Sequence, residues 1–236
     1  MGSSQARRGR PGWLVPAGIV AVGATLVGVA LWAGPDRGEQ AAPAPSESVE
    51  PAPSHPEVER RDPADPLAWG EVDAPVGLVV FSDYQCPFCA TWSEEVLPEL
   101  EPLVDAGDLR IEWRDVNFSG PVSDRAARAA AAAGRQDAFA AYHDALFAGG
   151  EPRSESALTE EALTALAEEI GLDVDRFAED FAAETTAAQV GENVLLGFAH
   201  DVQLTPTFFL DGEMIAGAQP AEVFLAGVEE ALSARG

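Results

Sequence analysis

The hydrophobic pattern of this 236-residue chain changes period several times, and each change marks an element. From Trp13 to Ala33 about 21 residues pass without a charge. At ~1.5 Å per residue a helix of that length spans ~31 Å, the thickness of a bilayer core. Residues 35–65 alternate Pro, Ala, Ser and Glu, a composition that buries little apolar surface and predicts an extended, disordered linker in which His55 is a solvated residue. Residues 76–82 are almost wholly apolar and predict a buried strand, followed by a helix from Cys86 to about Val104. Leu109-Arg110-Ile111-Glu112-Trp113 then alternates with the period of a strand. Strand, helix, strand in this order is a βαβ unit with parallel strands.

Helical periodicity takes over after that unit. An Ala-rich segment to Ala133 has Ser123 as a candidate cap, and a second helix runs from about Gln136 to Phe147. Thr159 starts a third, with Leu163, Leu166 and Ile170 inward and Gly171 as its stop. Asp173 opens a fourth carrying Phe177 and Phe181, and Val190, Val194 and Phe198 mark the inner face of a fifth. Strands return at Thr207–Leu210 and Glu213–Ala216, joined by Asp211-Gly212 as a hairpin turn. Pro220 opens a last amphipathic helix with Phe224, Val228 and Leu232 inward.

Charge sharpens this picture. No acidic residue precedes Asp36, so the leader carries only Arg7, Arg8 and Arg10, whereas the rest holds 11 Arg against 40 acids, or −29. A surface this acidic repels phosphate backbones and excludes nucleic acid as a partner. The arginines before the apolar run fit a single-pass orientation with a cytoplasmic N-terminus. The expected organisation is a basic leader (1–12), a transmembrane anchor (13–34), the linker (35–65) and a folded domain (66–235) outside the membrane. A cleaved signal peptide, with Ala42-Pro43-Ala44 as its site, is the rival reading, and both export the domain.

The chain has two cysteines, in Cys86-Pro87-Phe88-Cys89, at the junction of the predicted strand and helix. Free N–H groups at a helix N-terminus favour thiolate, and the i, i+3 spacing puts Cys89 within disulfide reach. Pro87 suits the first turn, because its missing N–H leaves nothing unsatisfied. A structural disulfide would close a loop too short to constrain the unfolded chain much. A zinc site would need His55, His143 or His200, which form no ligand-like pair in the sequence, so no metal is expected. Cysteine–histidine hydrolysis stays open but does not use a second cysteine. Thiol–disulfide exchange fits best, with Cys86 attacking and Cys89 resolving. His143 reads as a packing or surface residue and His200 as a structural one. Pro206, just before a strand, marks a strand start, a kink or a cis peptide.

With these residues assembled, the domain resembles the thioredoxin-fold oxidoreductases of the DsbA type over about residues 66–235. The resemblance rests on Asp73-Ala74-Pro75-Val76, on Phe81-Ser82-Asp83-Tyr84-Gln85-Cys86-Pro87-Phe88-Cys89, on Ala141-Tyr142-His143-Asp144-Ala145-Leu146-Phe147, and on Thr205-Pro206-Thr207-Phe208-Phe209. It implies an α/β thioredoxin fold, a central mixed sheet flanked by helices, with a helical domain inserted over about residues 118–200. It further implies Cys86 as nucleophile, Cys89 as resolving cysteine, Pro206 as a cis-proline facing the pair, and Thr205 as the residue whose backbone meets extended substrate. The sequence departs from the family at Phe88, where strongly oxidising members often carry His, and at Val80, where many relatives have a buried acid.

The resulting expectation is an extracytoplasmic, membrane-anchored oxidase that forms disulfides in reduced or unfolded exported proteins. Its only redox group would be the Cys86–Cys89 disulfide, without a cofactor, and a membrane quinone-linked thiol oxidase would re-oxidise it. A reductase or isomerase on the same scaffold is the alternative, and a membrane-tethered binding or chaperone module is a third reading.

Overall fold

A computed structural model describes residues 55–236; the expected leader, the anchor and the linker up to residue 54 lie outside the described residues. Among the described residues no helix is long and apolar enough to cross a membrane. Five strands form one sheet: β1 (Ala68–Trp69), β2 (Val76–Ser82), β3 (Leu109–Asp115), β4 (Thr207–Leu210) and β5 (Glu213–Ala216). Their order is β1-β3-β2-β4-β5, with β2 and β3 parallel and the other pairs antiparallel.

Every residue of β2 is buried, because both faces of the sheet are covered. On one face Val76, Leu78 and Val80 pack with Ile111, Trp113, Phe208 and Leu210 in the larger core. On the other, Val79 and Phe81 join Val58, Val116, Val202 and Phe209. The run 76–82 is therefore continuous in sequence but alternates between two cores, as a pleated strand must.

The helix expected over residues 86–104 is two helices, α1 (Pro87–Glu95) and α2 (Leu97–Asp105). Pro98 stands near the start of α2 and cannot donate back to Glu94, so the ladder breaks at Val96. Trp92 of α1 packs on Phe208 with ring centroids 4.7 Å apart and on Phe224 at 5.6 Å, which fixes α1 to the sheet.

Between β3 and β4 lie α3 (Pro121–Gly134), α4 (Phe139–Phe147), α5 (Glu160–Glu169), α6 (Val174–Ala182) and α7 (Glu184–Ala199), and α8 (Ala221–Arg235) ends the chain. Thr159 and Asp173 cap α5 and α6 by accepting from Ala162 and Arg176 N–H groups, as the sequence predicts. Gly171 ends α5 at φ +85°, and the Asp211-Gly212 turn has both residues at positive φ.

Three local expectations fail. Ser123 does not cap α3, whose cap is Gly120, because its hydroxyl is taken by the Asp83 carboxylate at 2.6 Å. Residue Asp137 at φ +58° delays α4 to Phe139. Phe198 on α7 is 60% exposed instead of inward, stacked on Phe118 at 5.6 Å.

The largest correction concerns residues 55–65, expected to be linker. They fold back on the sheet: Val58 is fully buried, and the Glu59 carboxylate occupies the space beside Gly77 that a Cβ would fill. The polar positions of β3 explain why. Arg110, Glu112 and Arg114 are all buried, not solvated. Glu112 accepts from the backbone N–H groups of Arg60 and Arg61 (both 2.9 Å) and from Arg110 (2.9 Å), and also pairs with Arg114. Arg114 additionally donates to Asp65 at 3.0 Å. Burial opposes the charge on Glu112, yet these donors outweigh it and hold its carboxyl below the ordinary value. The alternation in β3 thus faces a second layer of chain.

Candidate active site

β2 ends at Ser82, and the turn Asp83-Tyr84-Gln85 delivers the chain to Cys86, the N-cap of α1. Asp83 sets this turn. Its buried carboxylate accepts from the N–H groups of Gln85 (2.8 Å) and Ser119 (2.7 Å) as well as from Ser123. The Cys86 carbonyl accepts from Cys89 and Ala90 N–H at 3.1 and 3.2 Å, so helical pairing starts at this residue. Cys86 is partly exposed and Cys89 buried, and both are thiols in this structure.

The two sulfurs have opposite acidities. A hydrogen bond from the Cys89 thiol contributes most to lowering the Cys86 pKa to about 6. Thr205 and the N–H groups of Cys89 and Phe88 add to this, against an opposing effect of burial. Burial pushes the Cys89 thiol well up, and the adjoining Cys86 charge reinforces the rise. Of the two sulfurs, the accessible one is therefore the more acidic.

The loop before β4 completes the site. The Thr205–Pro206 peptide bond is cis, and Cys86 Sγ lies 3.2 Å from the Thr205 carbonyl oxygen. Thr207 donates to Leu204 O at 2.8 Å, Gly217 N–H donates to Pro206 O at 2.9 Å, and Phe81 pairs with Thr207 in the sheet. These bonds hold the loop across the chain end that carries Cys86. The expected residues Cys86, Pro87, Phe88, Cys89, Thr205 and Pro206 are thus gathered at one end of the sheet.

Phe88 is 67% exposed and brings no charge to the pair, and Leu204 beside Thr205 is 48% exposed. Val80 is buried in β2, opposite Trp113. A buried acid is nevertheless close by in the sheet: Asp115 lies in register with Ser82. Tyr84 Oη is 3.1 Å from Asp115 Oδ2 and 3.0 Å from His143 Nδ1, and His143 Nε2 is 3.0 Å from Ser93 Oγ. Burial raises Asp115 to about 8, against a lowering by the Tyr84 hydrogen bond, and lowers His143 to about 3. The Tyr84 hydroxyl donates to Asp115 Oδ2, which leaves its oxygen to accept from His143 Nδ1–H and Ser93 Oγ–H to donate to His143 Nε2. Ser93 stands one turn after Cys89 on α1. His143, expected as a packing or surface residue, is buried, whereas Tyr84, Ser93 and Asp115 carry no local signal beyond an acid at the end of a strand.

His200 caps α7 and is buried, and His55 is not a solvated linker residue. The two imidazoles, 145 residues apart, approach to 3.3 Å between Nδ1 atoms, a pairing that sequence spacing conceals.

A family profile described as thioredoxin matches residues 63–230. A Na(+)/H(+) antiporter NhaA 1 of Salinispora arenicola is 34% identical over 174 residues, which make up 73% of this chain and 26% of the antiporter. The chain spans about a quarter of that relative's length. A probable disulfide bond formation protein D of Bacillus cereus is 30% identical over 150 residues, 61% of this chain and 69% of that protein. The crystal structure of oxidised BdbD from Bacillus subtilis matches with a TM-score of 0.66 at 27% identity, covering 78% of this chain and 100% of BdbD.

Proposed function

The chain belongs to the thioredoxin family, and from that membership we propose that it is a thiol–disulfide oxidoreductase working as an oxidase on exported proteins. The single observation that carries the direction is the acidity of Cys86, lowered to about 6 on a partly exposed sulfur beside the cis-proline loop. A thiolate stabilised in the dithiol form makes the disulfide easier to reduce, and so a better oxidant.

In the working cycle a substrate thiolate attacks Cys86 Sγ of the Cys86–Cys89 disulfide. Cys89 leaves and takes up a proton, as its raised pKa demands. A second substrate thiolate then attacks the mixed disulfide, and Cys86 departs as a thiolate. The substrate dithiol loses two electrons and two protons. The electrons end in the Cys86–Cys89 dithiol, one proton rests on Cys89, and the other goes to solvent. No cofactor takes part. Exposed Phe88 and Leu204 flank the nucleophile and suit an unfolded, apolar segment, while the Thr205 backbone lies where an extended chain would pass. A membrane quinone-linked thiol oxidase would accept the electrons, and the N-terminal apolar run would anchor the protein at the extracytoplasmic face.

Equilibration with glutathione buffers tests the direction. The expected reduction potential is above about −200 mV, near the protein disulfide isomerase and DsbA range. A value below about −250 mV, in thioredoxin territory, overturns the oxidase reading in favour of a reductase.

A further inference from the structure

His55, Glu57 and His200 stand apart from the cysteine chemistry, and their ligand atoms converge. The two Nδ1 atoms are 3.3 Å apart, and Glu57 Oε1 lies 3.6 Å from His55 Nδ1 and 3.7 Å from His200 Nδ1. Ligands held ~2.0–2.1 Å from a tetrahedral metal ion stand ~3.3–3.5 Å from one another, so the triangle is close to the edge lengths of one coordination face. We propose that these residues form a binding site for a first-row divalent metal ion of the zinc type, held by two imidazole nitrogens and one carboxylate oxygen.

The placement of each ligand supports the assignment. His200 N–H is used by the end of α7, through Leu196 O at 3.2 Å and Gly197 O at 3.1 Å, which fixes the residue's backbone. His55 is fixed by its own N–H, which donates to Gly212 O at 2.6 Å. Phe209 packs edge-on against both rings, with centroids 5.5 Å from His55 and 6.2 Å from His200. Glu57 follows His55 by two residues within a 3₁₀ turn (Pro56–Val58), which brings its carboxylate to the same side. Its side chain is 60% exposed, so a metal ion there would be reached from solvent on the Glu57 side. Two nitrogens and one oxygen suit a borderline ion such as zinc, whereas calcium and magnesium prefer all-oxygen sets. The third histidine of the chain, His143, has both ring nitrogens engaged elsewhere.

Without a metal, one Nδ1–H donates to the other Nδ1, with the roles set by the ring tautomers. A metal ion takes the place of that hydrogen bond and fastens His55 and Glu57 to the end of α7, five residues before Thr205. The site does not depend on the redox reading.

The test uses the full chain in its oxidised form, so that Cys86 and Cys89 cannot bind the metal. Calorimetric titration with ZnCl2 is expected to give one site with a Kd of ~1 µM or tighter, and zinc is expected to raise the thermal midpoint. Separate His55→Ala and His200→Gln substitutions should each weaken binding tenfold or more and abolish the thermal shift. Absence of zinc binding, or binding unchanged in His55→Ala, overturns the proposal and leaves a hydrogen-bonded histidine pair. His55 is partly exposed, so its variant stays informative if His200→Gln fails to fold.

Discussion

Replacing Cys89 is the most direct challenge to the electrostatics of the cysteine pair. The Cys89 thiol makes the largest single contribution to holding Cys86 at about 6 against an ordinary value of 9.0. A hydrogen bond to a charged group contributes ~1.5–3 kcal/mol, equivalent to ~1–2 pH units. Cys89→Ala should therefore raise the Cys86 midpoint to ~7–8, and Cys89→Ser, which keeps a donor, should raise it by less than half as much. Both variants hold a single cysteine, so thiolate absorbance at 240 nm against pH reads Cys86 alone. Sign and size follow from linkage. A depressed pKa favours the reduced form fully above the ordinary value and loses that effect as pH falls through about 6. At pH 7 it is worth at most ~1.4 kcal/mol, or ~30 mV, because the sulfur is partly solvated. The variants bear on acidity alone, since neither can form the disulfide. A Cys89→Ala midpoint within ~0.3 units of the wild type would refute the reasoning and leave the helix N-terminus as the source of the acidity.

Asp115→Asn should remove a pH dependence of stability. Asp115 has its folded pKa raised to about 8 from 3.8, so its contribution is complete below pH 4 and falls as pH rises through the window up to 8. In urea titrations the variant should gain on the wild type by ~1.4 kcal/mol per pH unit between about pH 4 and 8, then run parallel; parallel curves throughout would show that Asp115 is ionised in the fold. Glu112→Gln leaves two buried guanidiniums without their shared carboxylate, and should cost ~3–5 kcal/mol in the same assay while sparing the Cys86 midpoint. Gly134→Ala would set a Cβ 2.2 Å from Pro66 O, and should lower stability by ~1–3 kcal/mol; an unchanged denaturation midpoint would mean that the strand approach at residues 66–69 yields freely.

Features written in neighbouring residues were legible in the sequence. The caps Thr159 and Asp173, the stop at Gly171, the Asp211-Gly212 turn and the cysteine motif are set by residues a few positions apart, and the chain obeys them. The break at Val96 was equally local, announced by Pro98, and the long apolar spacing hid it. What escaped was set by distance along the chain. Arg110, Glu112 and Arg114 look like a solvent face of β3 until residues 59–62 cover them, and those residues look like linker until the buried carboxylate claims their N–H groups. Likewise Tyr84 meets Asp115 across 31 positions and His143 across 59. Ser123 had two possible partners, and the tertiary one, Asp83, won over the helix end.

The unequal acidity of the two sulfurs also decides how the reduced protein meets peroxide. Only the thiolate form is readily oxidised, so peroxide is expected to take the more acidic Cys86 first, to a sulfenic acid, and to spare Cys89. Cys89, one turn along α1, condenses with that sulfenic acid, expelling water and forming the Cys86–Cys89 disulfide. A chemical insult thereby yields the same state that re-oxidation by an enzyme would, and further oxidation of the sulfur has to outrun an intramolecular reaction. The proposed exchange at Cys86 and this protection would rest on the same arrangement of the two sulfurs.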